Sequence, residues 1–270
     1  MAELGIGITG CAGRMGRMLV AEAHATKGCR VVAGIDAPGN PALGRDLGEL
    51  ANIGAIGVKA DDDPAALFAA ADVVIDFSTP EAAIVSARLA AKDKKPLLLG
   101  TTGLSAAQGD AIRAAAKTVP IVWPPNTSLG VTLMLAMVED AARRLGLDWD
   151  IEIVEMHHKH KVDAPSGTAL ALGQAAAAGR NIDLGKSSAR GRDGVTGARQ
   201  EGHIGFAALR GGDVAGDHTV IFAGEGERLE FTHRAASRQI FAKGAIRAAL
   251  WLGQPGRKSG LYGMKDVLGL

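Results

Sequence analysis

Short apolar runs alternate with helix-like stretches through the first 125 residues. Leu4–Thr9 reads as a strand, Gly10–Gly16 as a glycine loop and Arg14–Thr26 as a helix. Val31–Asp36 reads as a second strand. Asp72–Phe77 is a near-continuous apolar run, the pattern of a parallel strand covered on both faces. Pro80–Lys92 is Ala-rich and helical, and Pro96–Leu99 is a strand. Ser105–Lys117 is a helix with Ser105 at its N-cap, and Pro120–Trp123 is a short last strand. Such alternation implies right-handed crossovers and an α/β fold, a Rossmann-type doubly wound parallel sheet.

The pattern changes after Pro124-Pro125-Asn126. A helix is expected over Leu129–Leu145. Trp149–Met156 then alternates apolar and acidic residues, as a half-exposed strand does. His203–Leu209, His218–Phe222 and Arg228–His233 read as further strands with little helix between them. They predict a second, α+β domain with a mixed or antiparallel sheet. Gly179–Gly202 is rich in Gly and Arg without a period, so a long loop is expected there. The Ala-rich helix Gln239–Leu252 is expected to return to the first domain.

Composition narrows the function. The 270 residues carry a formal net charge of +1 and a single Tyr, so no basic, aromatic-laced surface suggests nucleic acid. No run of about 18 apolar residues suggests a membrane span. The stretch from Met1 to Ile8 lacks the basic and apolar regions of a signal peptide. Cys11 and Cys29 are expected as reduced thiols in a cytoplasmic protein.

Gly10, Gly13 and Gly16 follow the first strand and open a helix. Glycines there permit a tight turn and close approach to a pyrophosphate, which the helix N-terminus then attracts. Asp36 ends the second strand, where an acid meets the adenosine ribose hydroxyls. It repels a 2′-phosphate, and Ala37 beside it offers no positive charge. NADH is therefore expected over NADPH, with Arg14 and Arg17 softening the preference. Gly100-Thr101-Thr102-Gly103 follows another strand and offers two hydroxyls to the cofactor; Pro124–Thr127 holds a similar position.

Three of the seven histidines fall in Glu155-Met156-His157-His158-Lys159-His160-Lys161. His157 or His158 with His160 could bind zinc, but the interleaved Lys159 and Lys161 oppose a cation and no Cys is near. No metal is expected. Acid–base chemistry fits better, since histidine titrates near neutrality and lysine supplies charge or a proton. Pro165-Ser166-Gly167-Thr168-Ala169 reads as a helix start, with Ser166 as N-cap and free N–H groups near Gly167 and Thr168 for a carboxylate. A cofactor loop, proton-transfer groups and a carboxylate cradle together suggest reduction of an anionic C=C or C=N substrate.

The segment Glu155–Ala169 resembles the 4-hydroxy-tetrahydrodipicolinate (dihydrodipicolinate) reductase family of the diaminopimelate–lysine pathway. Asp76-Phe77-Ser78, Arg210-Gly211-Gly212-Asp213, Gly216-Asp217-His218-Thr219 and Phe241-Ala242-Lys243-Gly244-Ala245 agree in order. The resemblance implies that His157 is a general acid/base and Lys161 a proton donor. It implies that His158, Gly167 and Thr168 contact substrate. Gly10, Cys11, Ala12, Gly13, Arg14, Met15, Asp36, Gly100, Thr101, Thr102, Pro124, Pro125, Asn126 and Thr127 are implied cofactor contacts. It implies hydride transfer from NADH or NADPH to a small cyclic dicarboxylate imine with loss of water, in a homotetramer built through the second domain's sheet. The expected division is then a dinucleotide-binding domain over residues 1–127, completed by 238–270, and a substrate-binding and oligomerisation domain over 128–237. Ala37 departs from relatives that carry Arg after the acid, which puts strong NADPH use in doubt.

Three other readings compete. An acylating semialdehyde dehydrogenase needs a cysteine nucleophile, yet both cysteines lie in the cofactor half. A dinucleotide sensor without turnover leaves the His/Lys cluster without a role. A metal-dependent hydrolase needs a metal that the cluster is ill-suited to hold.

Overall fold

A computed structural model describes residues 3–270; Met1 and Ala2, included in the expected first domain and in the leader reading, lie outside the described residues. In chain order the elements begin β1 (Leu4–Thr9), α1 (Arg14–Ala25), β2 (Cys29–Ile35), α2 (Leu47–Leu50), β3 (Ala60–Asp61), α3 (Pro64–Ala70), β4 (Val73–Asp76) and α4 (Pro80–Asp93). They continue with β5 (Leu97–Leu99), α5 (Ala106–Ala116), β6 (Pro120–Val122), α6 (Leu129–Arg144), β7 (Asp150–His157), α7 (Gly167–Arg180) and β8 (Ser188–Ala189). The last are β9 (Ile204–Arg210), β10 (Gly216–Gly224), β11 (Glu227–Ala235), α8 (Gln239–Leu252), β12 (Gly260–Tyr262) and α9 (Met264–Leu268). The chain divides into two compact units. The first runs to Leu129 and takes in Gln239–Gly269, and the second spans Gly130–Arg238 with Leu270.

The first unit is built on a seven-stranded sheet of order β12-β6-β5-β4-β1-β2-β3, every pair parallel. The strand order turns outward in both directions from the β1–β4 pair, so that point is where the crevice at the strand carboxyl ends opens. One layer of the core joins α1 and α8 to the sheet through Leu19, Val20, Ala245, Ala249 and Leu252; the other packs α3, α4 and α5 through Phe68, Ala87 and Ile112. Ala83, Ala87 and Ala90 of α4 and the alanines of α8 are buried, so small side chains let these helices lie close to their neighbours. Thr79 and Ser105 cap α4 and α5 through their hydroxyls, and Ser105 forms a capping box with Gln108.

Five elements here have no counterpart in the sequence reading: α2, β3, α3, β12 and α9. All are 2 to 7 residues long, too short for hydrophobic periodicity to register. β12 corrects the expectation that Pro120–Trp123 is the sheet's last strand, because it adds outside β6 in parallel.

The second unit carries a mixed sheet of order β11-β10-β7-β9-β8. β10 is antiparallel to both β11 and β7, while β9 is parallel to β7 and β8. Helices α6 and α7 cover one face, through Met134, Val138, Leu172 and Ala176 against Ile151, Ile153, Phe206, Val220 and Phe222. The expected loop Gly179–Gly202 contains the end of α7 and the short strand β8. Ion pairs fasten the stretch after β8: Arg199 bonds Asp150 and Glu152, and Arg192 bonds Glu152. Apolar periodicity is blind to such anchors.

Candidate functional site

In the first unit the glycine loop is dictated by close approach. Gly10 has φ +78°, and a Cβ there would lie 2.3 Å from the Phe77 carbonyl oxygen. A Cβ on Gly16 would lie 2.1 Å from the Gly10 oxygen. Helix α1 therefore starts hard against the loop. Its N-cap, Gly13, offers no side-chain cap, and the first turn holds no acidic residue. Uncapped donors at a positive helix end suit a pyrophosphate. Cys11 is buried and Ala12 half-buried, while Gly13 and Arg14 are exposed and Met15 is half-buried. Burial, with Asp36 nearby, pushes the Cys11 thiol up to about 12. That thiol remains protonated and is no nucleophile. Cys11 and Cys29 are both unpaired and buried.

Asp36 follows β2 and is tied to this loop. Its Oδ2 accepts from the Ala12 N–H at 2.9 Å, and its Oδ1 accepts from Ala37 N at 2.9 Å and Asn40 Nδ2 at 2.8 Å.

A buried carboxylate with no role legible in the sequence sits at the end of β4. Asp76 has no exposed surface. It accepts from Ser86 Oγ at 2.5 Å, Thr101 Oγ1 at 2.7 Å and Ser78 Oγ at 2.7 Å. Burial pushes its carboxyl up, against the hydroxyl donors that pull it down. The Thr101 hydroxyl also accepts from Ser78 N at 2.8 Å, so its hydrogen bonds lie within the protein. Thr102 is exposed. Gly100 is fixed by the Phe77 ring, whose nearest atom would lie 2.2 Å from a Cβ. At the end of β6, Thr127 is buried and donates to the Phe241 carbonyl of α8 at 2.7 Å. Asn126 Oδ1 accepts from Ser128 N, Pro124 is buried and Pro125 is exposed.

In the second unit, β7 runs from apolar core into polar site on one face. Ile151, Ile153, Glu155 and His157 all point to the helix-covered side and are buried. Glu155 Oε2 lies 2.6 Å from His157 Nδ1. Arg210, at the end of β9, donates to both Glu155 oxygens, at 2.8 and 2.9 Å. Ser166 N donates to Glu155 Oε1 at 3.1 Å. Burial alone pushes the Glu155 carboxyl up, but bonds from Arg210, His157 and Ser166 outweigh it and hold it below the usual range.

The loop after β7 brings the other predicted groups to this end of the sheet. Lys161 Nζ donates to Asp163 Oδ1 at 2.7 Å, which holds the Asp163 carboxyl low. Arg210 also donates to the Asp163 carbonyl at 2.7 Å. His158 is half-buried with Nδ1 buried and without a partner. A cis peptide joins Ala164 to Pro165. Ser166 caps α7 by accepting from Ala169 N at 3.1 Å, and its Oγ lies 2.9 Å from His218 Nε2. Gly167 is exposed, with open space where a Cβ would stand, and Thr168 is half-buried. The structure thus gathers His157, His158, Lys161, Gly167 and Thr168, and adds Glu155, Asp163, Ser166, Arg210 and His218. Glu155 had a signal in the sequence: after Ile151 and Ile153 it falls on the same strand face. Among the described residues no cluster of His, Cys, Asp and Glu is arranged to hold a metal ion.

His218 gives the site a pH signature. It is 4% exposed. Burial first, then His157, push it down to about 4, with Glu155 opposing and His233 and Lys161 adding to the shift. Unfolded, it titrates near 6.5. Between these values the unfolded chain binds a proton that the folded chain refuses, so stability falls as pH drops from 6.5 toward 4. The loss reaches about 3 kcal/mol. Urea midpoints of the native protein should fall across this window, and His218→Gln should flatten the fall. An equal slope in both proteins would rule the assignment out.

Two family profiles divide the chain: dihydrodipicolinate reductase, N-terminus, over residues 4–127 and dihydrodipicolinate reductase, C-terminus, over residues 130–268. The 4-hydroxy-tetrahydrodipicolinate reductase of Methylocella silvestris is 55% identical over 270 residues, covering 100% of this chain and 98% of the relative. That of Rhizobium rhizogenes is 54% identical over 264 residues, covering 97% and 96%. A solved dihydrodipicolinate reductase of a Paenisporosarcina species, with dipicolinate bound, superposes with a TM-score of 0.79 at 26% identity, covering 98% of this chain and 99% of that one. With both halves matched in order, and with relatives this similar along its whole length, the chain belongs to the dihydrodipicolinate reductase family.

Proposed function

We propose that this chain reduces 4-hydroxy-tetrahydrodipicolinate to tetrahydrodipicolinate, with loss of water, in lysine and diaminopimelate biosynthesis. The observation that carries the reading is one constellation in the second unit. A carboxylate-held His157, the Lys161 ammonium and the open α7 N-terminus at Gly167 and Thr168 stand at one end of the sheet.

The residues of the first unit fit a nicotinamide dinucleotide, since the glycine loop leaves no room for a Cβ at Gly10 or Gly16 and α1 begins uncapped. When bound, the dinucleotide supplies the hydride. Gly10–Met15 would hold its pyrophosphate and Asp36 its ribose, which favours NADH over NADPH. Thr101 acts through its backbone, its hydroxyl being engaged by Asp76 and Ser78. Pro124–Thr127 forms the neighbouring wall, and no metal enters the scheme.

The remaining steps belong to the second unit. Thr168, and Gly167 through its backbone N–H, hold a substrate carboxylate at the positive end of α7. His158 contacts the same substrate. The net change takes one hydride and one proton into the substrate and releases one water. The site must therefore assist a leaving hydroxyl and deliver a proton, and His157 and Lys161 are the two groups placed to do so. Residues 1–127 with 238–270 thus serve the dinucleotide, and 128–237 serve substrate and assembly. The sheet face opposite α6 and α7 carries Val154, Met156, Ala207, Leu209 and Ile221, with Leu209 51% exposed. Glu152, Thr219 and Asp217 share that face, and a homotetramer built through it would cover these apolar side chains together with polar ones. Unpaired Cys11 and Cys29 fit a cytoplasmic setting. Among the described residues no helix is long and apolar enough to cross a membrane.

The test is NADH oxidation followed in the near ultraviolet, with substrate formed in situ from pyruvate and aspartate semialdehyde by the preceding enzyme. Substrate-dependent oxidation is expected, faster with NADH than with NADPH. A folded protein that binds NADH yet shows no oxidation would remove the reductase reading and leave a dinucleotide sensor or another dehydrogenase.

A further inference from the structure

Glu155 is a carboxylate with every acceptor position in use. Oε2 faces His157 Nδ1 and Arg210 Nη1, and Oε1 faces Arg210 Nη2 and Ser166 N. A guanidinium and a backbone N–H have no lone pair to offer. Three of the four partners can therefore only donate, and a proton on either carboxylate oxygen would displace one of them. An ionised Glu155 accepts only, so the fourth partner, His157 Nδ1, must donate as well.

The hub is set by sheet register. Across β7 and β10 Glu155 stands opposite His218, and across β7 and β9 His157 stands opposite Arg210. The Glu155 side chain is 1% exposed. Replacing a buried ion pair by apolar residues is often neutral or stabilising, so stability alone does not account for charge at the end of an apolar strand. Orientation does. On the far side of the ring, a Cβ at Gly216 would stand 2.9 Å from His157 Nε2. Glycine leaves that nitrogen clear.

We propose that Glu155, clamped by Arg210, is a positioning residue that keeps the His157 proton on Nδ1 and its lone pair on Nε2, and that the same carboxylate anchors the Ser166 end of the Gly167–Thr168 cradle. The inference rests on His157 being the proton-handling group of the proposed reductase. One buried anion then ties the acid–base group to the substrate-binding helix start. Neutral His157 presents Nε2 as its base, and protonated His157 presents Nε2–H as its acid.

The test is ¹⁵N NMR of the histidine-labelled full chain at alkaline pH, with His157 assigned by its absence in His157→Gln. The wild type should show a protonated Nδ1 and a bare Nε2. Glu155→Gln offers one acceptor oxygen; turned toward Arg210 and Ser166, it presents its NH₂ to His157 and reverses the tautomer. Turnover of this variant should fall about 10–100-fold, the weight of a hydrogen bond to a charged group, with NADH affinity unchanged. Arg210→Lys keeps the charge but not the fork, and should fall between the two. A bare Nδ1 in the wild type overturns the proposal, and that result stands even if Glu155→Gln fails to fold. So does a folded Glu155→Gln with wild-type tautomer and turnover. A slow His157→Gln beside a fast Glu155→Gln would sink the positioning role alone. A fast His157→Gln would sink it together with the reading of His157.

Discussion

Lys161→Ala is expected to lower kcat by about 10²–10⁴-fold, the range positioned acid–base groups supply, while NADH affinity holds. Lys161 is four-fifths buried on the loop after β7, with Nζ 2.7 Å from Asp163 Oδ1. Its backbone N–H closes a turn onto the His158 carbonyl at 3.1 Å, an anchor that alanine retains. Asp163 is 56% exposed, so the lost ion pair costs at most about 1 kcal/mol. The variant should therefore unfold close to the wild-type temperature, and its lost turnover should report chemistry. Lys161→Arg separates charge from proton transfer, because a guanidinium stays protonated at working pH. Low turnover in Lys161→Arg would mark Lys161 as a proton donor, whereas recovery would mark it as a fixed charge. Titration of NADH by fluorescence completes the experiment. Parallel loss of NADH affinity and turnover in Lys161→Ala would count against the role.

The sequence exposes what periodicity and turn chemistry encode. β1, the glycine loop and α1 were readable because glycine spacing and strand–helix succession are local signals. β7 was readable by its alternation, and Ser166 by its place before an Ala-rich run. The rest depends on register and tertiary partners. Glu155 looks like one more acid on a half-exposed strand until the sheet sets Arg210 and His218 on either side of it. Asp76 looks like the end of a buried strand until β5 delivers Thr101 and α4 delivers Ser86 to it. β12 has three residues, and its pairing with β6 spans about half the chain. The 190–202 segment is fastened by Arg192 and Arg199 to the acids of β7, and long-range charge pairs leave no period.

Asp36 carries the second large effect, because the proposed ribose contact would give its carboxylate a second task beside the loop. Relaxed discrimination and weaker binding should therefore appear together when it is replaced. Oδ2 holds the Ala12 N–H inside the glycine loop, and Oδ1 holds Ala37 N and Asn40. A ribose hydroxyl bonded to the same group would add a further charge-assisted contact. Each such bond is worth about 1.5–3 kcal/mol. Asp36→Ala loses both the loop tie and the ribose contact, and its NADH dissociation constant should rise about 10²-fold. Asp36→Asn keeps one acceptor oxygen for the loop but removes the charge that meets a 2′-phosphate. Two like charges about 4 Å apart near a protein surface repel by about 4 kcal/mol before salt screening. The NADH-to-NADPH ratio of kcat/KM should therefore fall about tenfold in Asp36→Asn. Low ionic strength should widen the wild-type ratio and leave that of Asp36→Asn nearly flat, since only the wild type sets a charge against the phosphate. An unchanged ratio in Asp36→Asn would show that the 2′ position does not meet residue 36, and the nucleotide preference would then have to come from Arg14 and Arg17.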